Sequence, residues 1–275
     1  MSDIARSTPV RIVPPFRLPG WGGRLLRKIL ILALLAGIWQ AAALWTDKPI
    51  LIPSFTATMT ALADGILNEG LLSASWTSLA VLLKGYALAV VIALTLVSIA
   101  VANGFARETL HTVVSMFMPL PAIAILPLAM LWFGLGEASL LFVLVHAVLW
   151  PFALAALGGF DGVPETQRLI GRNYGLKGPA YIVHILIPAA LPSILYGLKI
   201  GWAFAWRTLI AAELVFGASS GEGGLGWYIF RNRNELFTDK VFAGLALVII
   251  IGLFVEGVVF RTIENITVRK WGMQR

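Results

Sequence analysis

The chain has 275 residues, of which 59% are hydrophobic and only 13% are charged, and its mean hydropathy is +0.86. Several apolar runs exceed the ~18 residues that indicate a membrane-spanning helix, so a soluble globular domain is excluded. The absence of cysteine excludes disulfides and thiol chemistry, and three scattered histidines argue against a zinc site. The net charge of +7 therefore indicates membrane topology rather than nucleic-acid binding.

The N-terminal region is predicted to be a flexible basic cytoplasmic tail over residues 1–28, because prolines, glycines and arginines fill its first part. Residues 29–275 are predicted to form one transmembrane domain. A cleaved signal peptide is the alternative for the first apolar run, since Ala41 and Ala43 have the spacing of a cleavage site. The leading region is long and proline-rich, which favours a retained helix.

Six apolar segments predict an all-α, polytopic membrane protein. The predicted spans are 29–45, 76–102, 110–133, 139–157, 193–216 and 241–263. Between the first two, apolar residues recur at helical spacing over 55–66, which predicts an amphipathic helix in the outer interface. The third span contains Pro119, Pro121 and Pro127, so it must be kinked or broken.

The distribution of positive charge predicts the orientation. With both termini cytoplasmic, fourteen of the 21 Lys and Arg residues lie on the inner side and four on the outer side. The remaining three, Lys84, Lys199 and Arg207, fall within spans. This orientation places the stretch 161–192 in the cytoplasm.

That stretch carries several charges and is predicted to form two short helices. Pro164 and Glu165 are typical of a helix start, and Gly175 is suited to a left-handed C-cap. A second short helix would open at Gly178 and close at Pro188. Such a pair could form a rigid knob that docks into another protein, and the alternative is an ordinary interhelical loop.

The same stretch resembles the cytoplasmic loop of permeases of ATP-binding-cassette importers. That loop has the form E-A-A, three residues, Gly and, about a dozen residues later, I-x-L-P; Gly175 and the run 185–188 match this spacing. Residues 189–192 resemble the usual continuation. The E-A-A positions fall on Leu169, Ile170 and Gly171, so the family's acidic residue is a leucine here.

Further fragments resemble the nitrate, sulfonate and taurine branch of these permeases: residues 124–128 and 131–136 of the third span, 211–213 and 224–227 around the fifth, and Glu264 with Trp271 in the tail. The resemblance implies a type I importer permease fold with cytoplasmic coupling helices in a bacterial inner membrane. It also implies a homodimer, two cytoplasmic ATPase subunits and a periplasmic or lipid-anchored solute-binding protein.

Contact with the ATPase would come from the cytoplasmic loop. The candidate coupling residues are Pro164, Glu165, Arg168, Leu169, Ile170, Gly171, Arg172, Gly175, Leu176 and Pro188. The chain contains no phosphate-binding G-x-x-x-x-G-K-[ST] sequence, so it is not expected to be an enzyme or to bind a cofactor, and ATP with Mg²⁺ would belong to the ATPase.

Candidates for the translocation pathway come from charges and breaks within spans, because such charges are costly in lipid and usually face a cavity or a partner. Arg207, with Trp206 beside it, and Lys199 eight residues earlier could face one lumen and suit an anion. The alternatives are an internal ion pair for Arg207, and for Lys199 a side chain that reaches the headgroups. Glu213 is a poor partner for Arg207 within the helix, and could pair between helices or subunits.

Other span residues are weaker candidates. Pro121 and Pro127 could form a pathway wall or a simple kink. His146 and Trp150 share a helical face and could contact substrate or only pack between helices. Lys84 is expected to reach the outer headgroups, and Glu256 needs a partner that the sequence does not identify.

The favoured function is a permease subunit that forms the pathway for a small anionic solute of the nitrate, sulfonate or taurine kind. A secondary transporter of a small anion, working without an ATPase, is the alternative. A membrane-embedded enzyme would require a cluster of carboxylates, His or Ser near one membrane interface. The inner loops offer only Asp161, Glu165 and His184.

Overall fold

The computed structural model describes residues 21–216 and 223–269, and these are almost entirely helical. The helices are α1 (Trp21–Thr46), α2 (Phe55–Leu67), α3 (Leu71–Ala102), α4 (Gly104–Phe117), α5 (Leu126–Phe133), α6 (Glu137–Asp161), α7 (Glu165–Asn173), α8 (Gly178–Tyr181), α9 (Ile187–Phe216), α10 (Leu225–Asn234), α11 (Thr238–Phe254) and α12 (Arg261–Glu264). A 3₁₀ turn (Ala122–Ile125) precedes α5, and π-helical turns occupy Ile182–Leu186, Val255–Phe260 and Asn265–Arg269.

The described residues contain five helical segments that are long and apolar enough to cross a membrane. A sixth span is formed if α4 and the 122–133 helix are counted together, although they meet at an angle of 87°. The predicted break in the third span is therefore confirmed. Pro119 and Pro121 explain it, since each lacks the backbone N–H that would continue the helix, whereas Pro127 lies in the first turn of α5, where that N–H is not needed.

Helix α6 forms the centre of the core and packs against α3 and α9. Phe152 and Phe160 of α6 are fully buried. Helix α9 approaches α6 closely at Gly197, where a Cβ atom would lie only 2.8 Å from the Cβ of Ala155. Small residues at such contacts let two membrane helices approach at backbone distance, and this contact fixes α9, which carries several candidate pathway residues.

Helix α1 is peripheral by contrast, since only 6% of its apolar window is buried. Its C-terminal half is held by Trp39, whose Nε1 donates to Pro53 O at 3.0 Å and whose ring lies 5.6 Å from Phe55 and 5.7 Å from Phe242. The predicted limit of the N-terminal tail is wrong in part, because residues 21–28 already belong to α1. The rest of that tail lies outside the described residues.

The prediction that Pro188 closes a short helix is also wrong. Helix α8 continues through the π-helical turn into α9, and the whole segment Gly178–Val215 forms one apolar span. Within the turn the Ile187 N–H bonds to Ile182 O, five residues back rather than four. This wider turn accommodates the proline that follows it, so the helix does not end.

Candidate coupling surface and translocation pathway

Helix α7 is anchored to the end of α6 by Arg168. The guanidinium donates from Nη2 to Phe160 O at 2.6 Å and from Nε to Val163 O at 3.1 Å. A cation at the C-terminal carbonyls of α6 is favourable because the helix dipole is negative there. Arg168 thus positions α7 rather than presenting its charge to a partner.

Gly171 lets the inner face of α7 lie against the turn that leads into α9. The residue is buried, and a Cβ atom there would lie 2.8 Å from Ile185 Cγ1 and 2.9 Å from the Tyr181 ring. This close approach explains a glycine at the last of the three E-A-A positions. Gly171 thus brings α7 into direct contact with the N-terminal part of the α8–α9 span.

The end of α7 has the predicted left-handed cap. Gly175 has φ +73°, and the Leu176 N–H bonds to Gly171 O at 3.0 Å. These features define a Schellman-type C-cap, which fixes where the chain leaves the helix.

The outer face of α7 presents apolar side chains to solvent. Leu169 is 47% exposed, Ile170 is 51% exposed, and Tyr174 is also exposed. The flanking ion pair of Arg172 with Glu165 spans 3.7 Å. The predicted coupling residues from Pro164 to Leu176 therefore lie together on α7 and its two caps, whereas Pro188 lies within α9.

Four of the predicted pathway residues line one cavity of about 400 Å³. They are Pro121 from the break in the third span, His146 and Trp150 from α6, and Arg207 from α9. The 87° bend explains this convergence, because it turns the 118–123 segment towards α6 and α9. Phe117 and Phe204 complete an aromatic wall that sequence reasoning missed.

Arg207 faces this cavity without a carboxylate partner among residues 21–216 and 223–269. Its Nε donates to Ala203 O at 3.0 Å, and its guanidinium carbon lies 4.9 Å from the Phe204 ring centre. A planar guanidinium has five N–H donors, so most of them remain available to an anion.

His146 and Trp150 have buried ring nitrogens with no hydrogen-bond partner in the described part of the chain. Trp150 stacks on Phe117 at 5.1 Å with 12° between the planes, and the His146 ring lies 6.0 Å from Trp150. Such unpaired polar groups cost free energy, so an acceptor supplied by a ligand or a partner would be favourable.

The other predicted pathway residues do not line this cavity. Pro127 is exposed in α5, and Trp206 turns towards α11, where its Nε1 donates to Val248 O at 3.2 Å. Glu213 is only 2% exposed and lies in a hydrogen-bond network between helices. The structure therefore places these three residues outside the 400 Å³ cavity.

The Glu213 network joins α9 to α3 and to the start of α10. Ser78 Oγ lies 2.7 Å from Glu213 Oε2, the Gly226 N–H donates to the same oxygen at 2.8 Å, and the Leu225 N–H donates to Ser78 Oγ at 2.8 Å. The carboxylate thus satisfies one backbone donor at the N-terminus of α10, and the Ser78 hydroxyl satisfies another. The family-like fragments 211–213 and 224–227 contain Glu213 and Gly226, so the sequence marked two of the partners. No sequence feature marked Ser78.

A second network joins α10 to the segment before α3. Glu69 contacts Lys240 and accepts a hydrogen bond of 3.1 Å from the Tyr228 hydroxyl. Burial, followed by the neighbouring Glu69 charge, raises the pKa of Tyr228 above its usual range. The phenol therefore remains a donor at neutral pH and ties α10 to the start of α3.

A second cavity of about 490 Å³ lies between α9 and α11. Arg207 and Lys199 both line it, in agreement with the predicted shared face, and so does Trp206. Lys199 Nζ lies 2.9 Å from Glu256 Oε1, which identifies the partner of Glu256. Lys84, expected to reach the headgroups, instead pairs with Glu137 at 2.7 Å.

Comparison with known proteins agrees with this architecture. Residues 85–263 match the family model described as binding-protein-dependent transport system inner membrane component. The chain is 31% identical over 228 residues to the taurine transport system permease protein of Escherichia coli, covering 81% of this chain and 82% of that protein. It is 26% identical over 240 residues to the nitrate import permease protein of a Synechocystis species, covering 85% and 86%.

A third relative comes from Methanocaldococcus jannaschii, and its name assigns it provisionally to the ABC transporter permeases. The identity is 30% over 239 residues, covering 84% of this chain and 87% of the relative. The family match covers well over half of the chain, including the break, the cavity residues and the coupling surface. The chain therefore belongs to the family of binding-protein-dependent transport system inner membrane components, the non-catalytic membrane-spanning permeases of ABC transporters.

Proposed function

We propose that the chain is the permease subunit of an ATP-driven importer for a small anion of the nitrate, sulfonate or taurine kind. Two copies would form the pathway in a bacterial inner membrane, with both termini in the cytoplasm. Two ATPase subunits, which bind ATP and Mg²⁺, would dock inside. A periplasmic or lipid-anchored solute-binding protein would deliver the solute outside. The excess of Lys and Arg in the predicted inner segments supports this orientation.

The observation that carries the proposal is the unpaired Arg207 in a mostly aromatic and apolar cavity. An unpaired cation in a membrane span is costly, so an anionic ligand that reaches it gains a charge-assisted hydrogen bond in surroundings that screen charge poorly. The cavity of about 400 Å³ is in the size range of small-molecule sites. It has room for a sulfonate or carboxylate with a short apolar part. Taurine and nitrate, named for two relatives, both carry an anionic group.

The exposed apolar face of α7 supports docking of an ATPase. Leu169, Ile170 and Tyr174 would enter an apolar groove, with Glu165 and Arg172 at its polar edge. Because Gly171 packs against the turn before α9, a displacement of α7 would reach the helix that carries Arg207. The missing family acid at Leu169 implies that this contact is apolar rather than ionic.

Native mass spectrometry of the chain, gently extracted from its own host's membranes, tests the assembly. We expect two copies with two ATPase subunits. The double variant L169S/I170S removes the exposed apolar face and should lose the ATPases, whereas T166A/Q167A on the same helix should keep them. A wild-type homodimer that retains no ATPase in several mild detergents would contradict the proposal and favour a secondary transporter.

Uptake by proteoliposomes that contain the complete complex tests the anion site. The probes are radiolabelled taurine and nitrate, each supplied with the binding protein. We expect Arg207→Gln to lower uptake about ten-fold or more, since a hydrogen bond to a charged group contributes about 1.5–3 kcal/mol, and Arg207→Lys to restore part of it.

The matched control is Arg233→Gln. Arg233 lies outside the cavity, and its guanidinium carbon is 5.0 Å from the Phe230 ring, much as Arg207 lies over Phe204. Uptake by this variant should stay at the wild-type level. Normal uptake by Arg207→Gln would refute the assignment of Arg207.

A further inference from the structure

We propose that Lys199 is a second anion-contacting residue, two helical turns nearer the cytoplasm than Arg207, and that Glu256 occupies it until the solute arrives. This inference rests on the proposed function and assigns the inner step of the same route. It explains why, of two cations on one face of α9, Lys199 is paired with a carboxylate and Arg207 has no such partner among the described residues.

The first support is the position of the two cations. Both line the 490 Å³ cavity between α9 and α11, and Arg207 also lines the 400 Å³ cavity on the other side of α9. Arg207 therefore stands where the two cavities meet. Lys199 is eight residues earlier, so it lies about 12 Å further along the helix axis. A solute that leaves Arg207 along this face meets Lys199 next.

The second support is the openness of the ion pair. Lys199 Nζ and Glu256 Oε1 are 2.9 Å apart, but the two side chains are 45% and 57% exposed. Glu213 on the same α9 is 2% exposed and accepts hydrogen bonds from two other helices. Within residues 21–216 and 223–269 of a single chain, protein atoms leave the Lys199–Glu256 pair open, so an incoming anion can reach the ammonium group and compete with the carboxylate.

The third support is the backbone around Glu256. The residue lies in the π-helical turn Val255–Phe260, and a Cβ atom at the next residue, Gly257, would meet nothing within 4 Å. Helical turns of this wider type are rare overall but frequent at functional sites. The carboxylate is thus placed on a turn with free space beside it, where it can swing away from Lys199.

The charge balance gives the pair a physical role. Transport requires that an anion bind well enough to enter and weakly enough to leave. Two free cations in succession would hold an anion too tightly, whereas an ammonium already paired with a carboxylate offers a weaker site. Glu256 returns to Lys199 as the solute departs, which favours release towards the cytoplasm. Like-charge repulsion between solute and carboxylate acts in the same direction.

The test is uptake of radiolabelled taurine and nitrate by the complete complex in proteoliposomes, with KM and maximal rate measured separately. Glu256→Gln leaves Lys199 unpaired, and we expect KM and maximal rate both to fall about three-fold or more, a difference of roughly 0.7 kcal/mol or above. Lys199→Gln should raise KM. The charge-swapped variant K199E/E256K keeps an ion pair but moves the cation to the other helix, and should transport poorly although it assembles.

The matched control is Glu137→Gln. This substitution breaks the Lys84–Glu137 ion pair, which also joins two helices and has an N–O distance of 2.7 Å. Neither residue lines either cavity. Its KM should equal that of the wild type. Wild-type kinetics in Glu256→Gln and in K199E/E256K would refute the inference and leave a pair that only neutralises two charges, while the Arg207 result stands. Absence of uptake of either probe by the assembled wild-type complex would refute both the anion function and this inference.

Discussion

Arg207 and Glu213 are two charged residues six positions apart on α9, and they have opposite surroundings. Glu213 is buried, and its carboxylate accepts hydrogen bonds from Ser78 and from the Gly226 backbone. Arg207 is exposed to a cavity, donates to its own helix at Ala203 and has no acidic partner among the described residues. A charge within a span costs free energy in either place, but only Glu213 is satisfied by polar groups of other helices, whereas Arg207 contacts only its own helix at Ala203 and Phe204.

The difference separates a structural role from a binding role. A fully satisfied buried charge stabilises one arrangement of helices, so its removal should affect folding before it affects transport. An unsatisfied charge beside a cavity contributes little to the fold, so its removal should affect transport alone. We therefore interpret the C-terminal end of α9 around Glu213 as a structural contact, called here the fixed joint. The middle of α9 around Arg207 is interpreted as the surface that contacts the solute, called here the working surface. Substitutions at the fixed joint should therefore lower stability, and substitutions on the working surface should lower transport.

The largest effect is expected for Glu213→Ala. It leaves the Ser78 hydroxyl and the Gly226 N–H without an acceptor, and each unsatisfied buried group costs about 1–3 kcal/mol. Fluorescence-detected size exclusion after heating should show a lower melting temperature and less folded protein. Glu213→Gln keeps one carbonyl acceptor, so its melting temperature should lie between those of the wild type and of Glu213→Ala. Wild-type stability of the alanine variant would overturn the structural role.

Gly226→Ala should destabilise the same joint less. The new Cβ would lie 2.6 Å from Glu213 Cβ and 2.8 Å from the backbone oxygen of Ile210, so α10 must shift away from α9. Overpacking of this kind costs about 1–3 kcal/mol. The control is Gly257→Ala, where a Cβ meets nothing within 4 Å. Equal melting temperatures for the two variants would show that α10 is not held tightly.

Local rules predicted much of the working surface from the sequence. The prolines of the third span predicted its break, and Gly175 predicted a left-handed cap. The 3.6-residue period placed His146 and Trp150 on one face of α6, and Arg207 with Lys199 on one face of α9. Each of these inferences needs only neighbouring residues. They succeeded because helix geometry alone decides them.

The fixed joint was harder to predict, because its contacts join distant parts of the chain. Ser78 and Glu213 are 135 residues apart, and nothing local marks Ser78 as a partner. Trp206 shares only the 490 Å³ cavity with Arg207, because adjacent helical residues point about 100° apart and its indole bonds to α11. Pro188 was predicted to end a helix because proline usually does so. The π-helical turn before it accommodates the proline, and the helix continues.

On the working surface, Phe117→Ala should lower transport several-fold without a comparable loss of stability. Phe117 stacks on Trp150 at 5.1 Å and is 39% exposed, and an aromatic pair of this kind contributes about 0.5–1.5 kcal/mol. The same helix offers Phe105→Ala as a control, since Phe105 is 79% exposed and lines neither cavity. Uptake kinetics and melting temperature should be measured on both. A fall in stability equal to that of Glu213→Ala would remove the distinction between the two regions.

The smallest effect is expected for the pair of Lys84 and Glu137, which tests whether exposure alone makes a charge functional. The two side chains are 59% and 38% exposed and lie 2.7 Å apart. Exposed ion pairs contribute about 0–1 kcal/mol, and Glu137 is also favoured by its place in the first turn of α6. A double-mutant cycle of Lys84→Gln and Glu137→Gln should give a coupling energy within that range and unchanged uptake. An altered KM would mean that charges far from both cavities influence the solute, and then exposure of Arg207 would no longer identify it as the binding residue.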